Sequence, residues 1–322
     1  CYVYAVEFYR IVALGCIFQG ISQVGCDFVR VSGKPVMGMC VTGIGAVTNI
    51  ILDFLFVVVF DMGVQGAAVA TVIGQFCSAV FGSVLIFSGR TLVKITGDIF
   101  RIRTGLAARI ISCGFSFFIA QVAMGLISLV YNGQLGKYGG DTAISVYAVV
   151  SSVMTFVIMP ASGISQGIQP ILGNNYGAGK YHRVMETLGK ASVLSVGITC
   201  VIWVGVLVFA RQLIFLFGGG EEMVAIGVSG LRINFVITPI LGFVMLATTF
   251  FQSLGKPAPS ILITAFRQII FLIPFIYILP VFLGINGIFW AQPISDAFAL
   301  VLSLGLTLRE RKTLYRMEAN AE

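Results

Sequence analysis

The chain has 322 residues, of which 58% are hydrophobic and only 10% charged, with a mean hydropathy of +1.00 and a formal net charge of +7. No soluble domain hides that much apolar surface inside one core, so the composition excludes a water-soluble fold and points to an all-α polytopic membrane protein. The basic excess must then be read first against membrane topology, and no nucleic-acid partner is expected.

Nine apolar runs of about 20 residues or more read as membrane helices. They cover residues 3–29, 36–60, 66–87, 107–135, 143–163, 191–209, 224–251, 261–283 and 287–308. Very little chain lies between them, so no soluble domain is expected. The first residue is Cys1, and the first run follows without a basic leader or small-residue cleavage site, which argues against a signal peptide and for truncation. Seven cysteines are scattered through apolar segments with no Cys-x-x-Cys pair, and read as small buried side chains rather than disulfides or metal ligands.

Alternate connections separate the basic residues sharply. One set carries Arg30 and Lys34, then Arg90, Lys94, Arg101, Arg103 and Arg109, then Lys180, Arg183 and Lys190, then Lys256, and finally Arg309, Arg311, Lys312 and Arg316. The opposite connections hold only Lys137 and Arg211. The rich side is therefore expected in the cytoplasm, with a cytoplasmic C-terminus in a cell (plasma) membrane. The basic run 309–316 reads as a solvated end that obeys this rule, in preference to a lipid-binding element.

An internal repeat organises the chain. Residues 10–35 line up with 232–257 at a constant offset of 222, each copy pairing an Arg (Arg10, Arg232) with a Gly-Lys-Pro turn 23 residues later. Gly63-Val64-Gln65-Gly66 then matches Gly284-Ile285-Asn286-Gly287 with one residue of slip. Six spans separate equivalent points, so the copies share one orientation, as in two-lobed transporters related by an axis along the membrane normal. The expected division is the second half of an N-terminal lobe (1–88), an inter-lobe cytoplasmic linker (89–106), a six-span C-terminal lobe (107–308) and a tail (309–322). Shifting Ala107 back by the same offset places the first lobe's start about 115 residues before Cys1, so three N-terminal spans are expected to be missing.

Polar residues inside apolar runs mark the chemistry. Asn49 and Asp53, four apart, share one helix face within the run 36–60. An ionised Asp at mid-membrane depth costs roughly 3 kcal/mol on insertion scales, so Asp53 is a candidate cation site, although Asp53 and Asn49 could instead act only as hydrogen-bonding glue between helices. The short turn 61–65 makes spans two and three antiparallel neighbours. It sets Asp53 and Thr71 at similar depths, roughly 10 Å inside the outer surface at helical rise. Asn49, Asp53 and Thr71 can then converge, offering hard oxygen ligands for Na⁺, or a carboxylate that carries a proton. No acid stands at the repeat-equivalent positions 270–271, 274–275 and 292–293, which favours a specialised site in the first lobe.

Arg10 and Arg232 repeat and read as structural residues whose long side chains reach the interface. Gln75, Gln121, Asn132, Arg267 and Asp296 are placed along a substrate pathway, against the plainer reading that each holds helices together. Tyr131 and Gln134 add polar groups to the same helix as Gln121. Enzyme signatures are poor: Gly114-Phe115-Ser116-Phe117 is not a Gly-x-Ser-Gly motif, Gly139-Gly140-Asp141 is not Gly-x-Gly-Asp, and no Gly-Lys-Ser/Thr phosphate loop exists. No catalytic residue is assigned, and an ion gradient remains as the drive.

Three stretches together resemble the multidrug and toxic compound extrusion (MATE) transporters, nearest the branch of the staphylococcal multidrug exporter. They are Asn49-Ile50-Ile51-Leu52-Asp53 with 63–71, then 167–179, and Gln252-Ser253-Leu254-Gly255-Lys256-Pro257. The resemblance implies spans four to twelve of a twelve-span, two-lobed fold that exports cationic or amphipathic compounds in exchange for Na⁺ or H⁺. It also implies that Asn49, Asp53 and Thr71 form the first-lobe cation site. Two departures stand out. Phe54 occupies the place where the family usually has Pro after the Asp, and Gln121 looks like the replacement of a second-lobe acid; the family's first-span acid would lie in the missing segment.

The expectation is thus a monomeric cation-coupled antiporter working by alternating access, with no cofactor beyond the coupling ion and with small molecules and the lipid bilayer as partners. A lipid-linked precursor flippase of the same superfamily would line its cavity with several basic residues, of which only Arg267 is a candidate here. A membrane-embedded enzyme or a non-transporting scaffold are the rivals of a different class.

Overall fold

A computed structural model describes residues 2–88, 104–217 and 221–319. The described residues are all helical or in turns, and divide into two compact units, Cys1–Ile102 and Arg103–Glu322. Most of the expected linker, 89–106, lies outside the described residues.

The first unit is three helices: α1 (Tyr2–Val31), α2 (Pro35–Asp53) and α3 (Gly63–Phe87). The turn after α1 is closed by backbone alone. Gly33 takes the left-handed conformation (φ +79), Lys34 N–H donates to the Val29 carbonyl at 3.3 Å, and Pro35 starts the next helix, where its missing N–H costs nothing. Beyond Asp53 the chain widens into a π-helical segment, Phe54–Val59, before Asp61 and Gly63 (φ +51 and +56) reverse it into α3. At Phe54, where the family usually has Pro, the helix thus changes type.

Within a bilayer no hydrophobic force gathers helices, so close contact must come from small residues. On α3, Gly74, Ser78 and Gly82 recur every four residues and meet both neighbours. A Cβ on Gly25 would lie 3.0 Å from Gly82 Cα, and one on Gly45 would lie 2.9 Å from the Gly74 carbonyl oxygen. Ser78 Oγ donates to the Val41 carbonyl at 2.8 Å, so the one polar group in the stripe is satisfied across the interface. The remaining faces are apolar and exposed, as at Ile50, Ile51, Phe54 and Val58, which suits contact with hydrocarbon.

The second unit starts with α4 (Thr104–Gly177), two helices meeting at Gly140 (φ +62), and thus carries the fourth and fifth expected spans. It continues with α5 (Tyr181–Val208), the short α6 (Ala210–Leu216), α7 (Glu221–Asn234), α8 (Thr238–Ser253) and α9 (Pro257–Ala265). A second π-helical segment, Phe266–Leu272, leads into α10 (Ile273–Leu283), and α11 (Ile285–Ala319) carries the basic tail as continued helix. The turn of the first unit recurs twice: Gly179 and Gly255 adopt φ +71 and +69, and the N–H groups of Lys180 and Lys256 each bond back to the preceding helix at 2.9 Å. The core gathers around Tyr131, Leu135, Val150, Phe235 and Phe289, with a second cluster around Leu172, Leu188, Phe250 and Phe251.

Among the described residues seven helices are long and apolar enough to cross a membrane, or eight if the pair Ile226–Asn234 and Thr238–Ser253, bent by 44°, is taken as one span. Nine were expected; one stretch that passes, Gln121–Gly177, contains the Gly140 break. Cys16, Cys26, Cys40, Cys77 and Cys200 are free; Cys26 is buried, but Cys16 and Cys40 are exposed, so burial is not general.

Candidate functional site

Asn49 and Asp53 lie on one face of α2, which stays regular to its last residue, Asp53. Asn49 Nδ2 donates to Thr71 Oγ1 of α3 at 3.4 Å, and the Thr71 hydroxyl donates to the Ala67 carbonyl at 2.9 Å. The antiparallel pairing anticipated for spans two and three thus brings Asn49 and Thr71 together. Asp53, half-buried one turn on, has one carboxylate oxygen buried with no hydrogen-bond partner.

Gln75, one turn beyond Thr71 on α3, is in the same condition: its Oε1 is buried and unpartnered. That oxygen lies 2.6 Å from where a Cβ on Gly15 of α1 would stand, so it is aimed at the one place where α1 has no side chain. Unmade hydrogen bonds at buried polar atoms are costly, of order 1–3 kcal/mol each, and each one asks for a partner. Both orphans are oxygens, the atom type that accepts a proton or a hard cation. No group of three or more His, Cys, Asp or Glu side chains able to hold a metal ion occurs among the described residues.

The second unit resolves two other sequence candidates in one stroke. Arg267 Nε donates to Asp296 Oδ1 at 2.5 Å, with the Asp296 side chain 3% exposed and Arg267 18%. Gln292 Nε2 reaches both carboxylate oxygens, at 3.1 and 3.2 Å, and Ser295 Oγ donates to the Arg267 carbonyl. Arg267 stands ten residues from the start of α9 and Asp296 eleven from the start of α11, about 15 Å along each span and so near the middle of a ~30 Å core. Each charge compensates the other where neither could stand alone.

Beside this pair lies a cavity of about 290 Å³. Tyr131 and Tyr147 stack at 4.5 Å on one wall, Met154 and Met245 are flexible apolar neighbours, and Arg267 and Gln292 supply polar groups. Asn132 and Gln121 are exposed and do not line it. Tyr147, Asn234, Gln268 and Gln292 were not singled out from the sequence as pathway residues. Only Gln292 had a legible signal, standing four residues before Asp296 on one helix face.

A three-helix unit with small-residue seams, a lone intramembrane carboxylate beside an Asn and a Thr, and a repeated Gly-Lys turn are features that comparison with known proteins can test. The MatE family model matches residues 1–55 and 116–278.

The chain belongs to the MatE family.

Among relatives of this family, the multidrug export protein MepA of Staphylococcus aureus strain MSSA476 is 25% identical over 291 residues, covering 89% of this chain and 64% of the relative. MepA of Staphylococcus saprophyticus is 26% identical over 295 residues, 91% of this chain and 64% of that one. The chain therefore spans less than two thirds of the length of these relatives. Among solved structures, a MATE transporter in complex with MaL6 superposes with a TM-score of 0.89 at 24% identity, covering 97% of this chain and 71% of that one. The outward-facing conformation of a multidrug resistance MATE family transporter gives 0.90 at 23% identity, covering 97% and 70%. The multi-span helical membrane fold read from the sequence is thus that of MATE transporters.

Proposed function

We propose that this MatE chain acts in cation-coupled export of cationic or amphipathic small molecules by alternating access, in a cell membrane with its C-terminus in the cytoplasm, and not as an enzyme. The observation that carries the reading is the unpartnered Asp53 oxygen next to the Asn49–Thr71 hydrogen bond within an apolar helix pair. Such an oxygen gains from a bound H⁺ or Na⁺ what it lacks in protein partners, and its occupancy can bias a two-state helix arrangement. Asn49 positions the Thr71 hydroxyl, and Gln75 adds a second free oxygen toward α1. The resemblance to MepA supports drug-like cargo.

Arg267 and Asp296 take a different part. Their mutual neutralisation leaves the second-unit cavity polar but without net charge, which suits an apolar or cationic guest near stacked tyrosines. It also removes the one basic residue that favoured a lipid-linked precursor flippase. The coupling ion, Na⁺ or H⁺, is the only small partner required beside the cargo.

The test is dye efflux from proteoliposomes driven separately by a Na⁺ gradient and by a pH gradient. Asp53→Asn abolishes the response to whichever gradient drives the parent chain. Gradient-driven efflux that survives Asp53→Asn at the parental rate overturns the assignment.

A further inference from the structure

A further cavity lies away from both sites, between the first turns of α5 and the last turns of α11, with a volume of about 440 Å³. Its depth follows from helix length. Leu304 is 19 residues and Arg311 26 residues from the start of α11, about 29 and 39 Å along the axis, so the cavity straddles the end of a ~30 Å hydrocarbon core. The floor is apolar, formed by Leu188, Phe243 and Leu304, whereas His182, Arg311 and Tyr315 stand at the mouth.

Three details make this more than an apolar groove. Thr307 lines the cavity at only 7% exposure, and its buried Oγ1 has no hydrogen-bond partner. The Arg311 guanidinium is held over the Tyr315 ring at 5.5 Å, which keeps it at the mouth. The acids nearby are already engaged: Glu186 binds Lys190 at 2.7 Å, Glu310 binds Lys256 at 2.5 Å, and Glu318 accepts from the His182 backbone N–H at 3.3 Å. The stretch of α11 that carries Arg311 is itself basic, with Arg309, Lys312 and Arg316.

We infer that this cavity seats one anionic phospholipid, with one of its acyl chains along the apolar floor and its phosphate at Arg311. The tail 309–316, read from the sequence as merely solvated, is then half of a lipid site. The Arg311 charge selects the headgroup, and the depth places it at the interface.

The test is native mass spectrometry of the detergent-purified chain offered equal amounts of phosphatidylglycerol and phosphatidylcholine with identical acyl chains. Phosphatidylglycerol is retained at least about five-fold over phosphatidylcholine, and Arg311→Gln lowers its retention about five-fold while leaving phosphatidylcholine unchanged. Gly189→Leu, at a position on the cavity where an added Cβ meets no atom within 4 Å, fills the floor and displaces the lipid without altering the melting temperature. Inorganic phosphate at millimolar concentration does not compete. Equal retention of the two lipids overturns the inference, as does retention unchanged in both variants. Displacement by phosphate alone shows a simple anion site in place of a lipid site, and loss of binding on addition of a soluble protein partner would assign the groove to that partner.

Discussion

The Arg267–Asp296 pair lends itself to a double-mutant cycle. At 2.5 Å and an effective dielectric of about 20 the gross attraction is about 7 kcal/mol, and desolvation of two groups this buried takes back several of them. Neutralising one partner removes the attraction but leaves the other's desolvation in place, so Asp296→Asn or Arg267→Gln alone is expected to cost about 3–5 kcal/mol. Asp296→Asn also weakens the two Gln292 bonds, which places it at the upper end. The double replacement Arg267→Gln with Asp296→Asn leaves no stranded charge and lets the two amides bond each other, so its loss is expected to fall well below the sum of the two single losses. Equilibrium unfolding in mixed micelles, read by tryptophan fluorescence, gives all four corners of the cycle. A double variant that loses the sum of the two single losses, within about 0.5 kcal/mol, refutes the claim that the two charges compensate each other.

The seam between α1 and α3 predicts that Gly25→Leu costs about 1–3 kcal/mol, because its Cβ would press on Gly82 backbone that cannot move aside; Gly20→Leu, with open space around it, stays within about 0.5 kcal/mol. Thermal unfolding compares the two, and equal losses would show that close approach does not hold the helices. Phe54→Pro is expected to cost about 3 kcal/mol, since the Phe54 N–H bonds back to the Ile50 carbonyl and proline removes that bond, whereas Phe54→Ala, at an exposed side chain, stays within about 0.5. The same melts would contradict this if Phe54→Pro were no worse than Phe54→Ala.

The sequence carried the fold because a bilayer imposes a coarse code: long apolar runs, basic turns and a repeat are all visible without coordinates. The Asn49–Thr71 contact was legible for the same reason, since a short reversal between antiparallel helices fixes relative depth. What was not legible depends on side-chain direction. Arg267 and Asp296 are 29 residues apart on spans eight and nine, and nothing in their spacing says that they face each other rather than a passage. Gln121 and Asn132, polar residues on an apolar helix, are exposed and outside the cavity lining, which their spacing does not reveal either. The two π-helical segments were equally hidden, because neither Phe54–Val59 nor Phe266–Leu272 carries a composition that distinguishes it from ordinary apolar helix.

The compensated pair also has an electrical consequence. A lone ion moved across the membrane potential exchanges about 2.3 kcal/mol per 100 mV, but a guanidinium and a carboxylate that travel together carry no net charge and do no net work against that field. A rearrangement that carries Arg267 and Asp296 as a unit therefore takes no electrical bias from these two charges, whereas Asp53 has one carboxylate oxygen with no partner to cancel its charge.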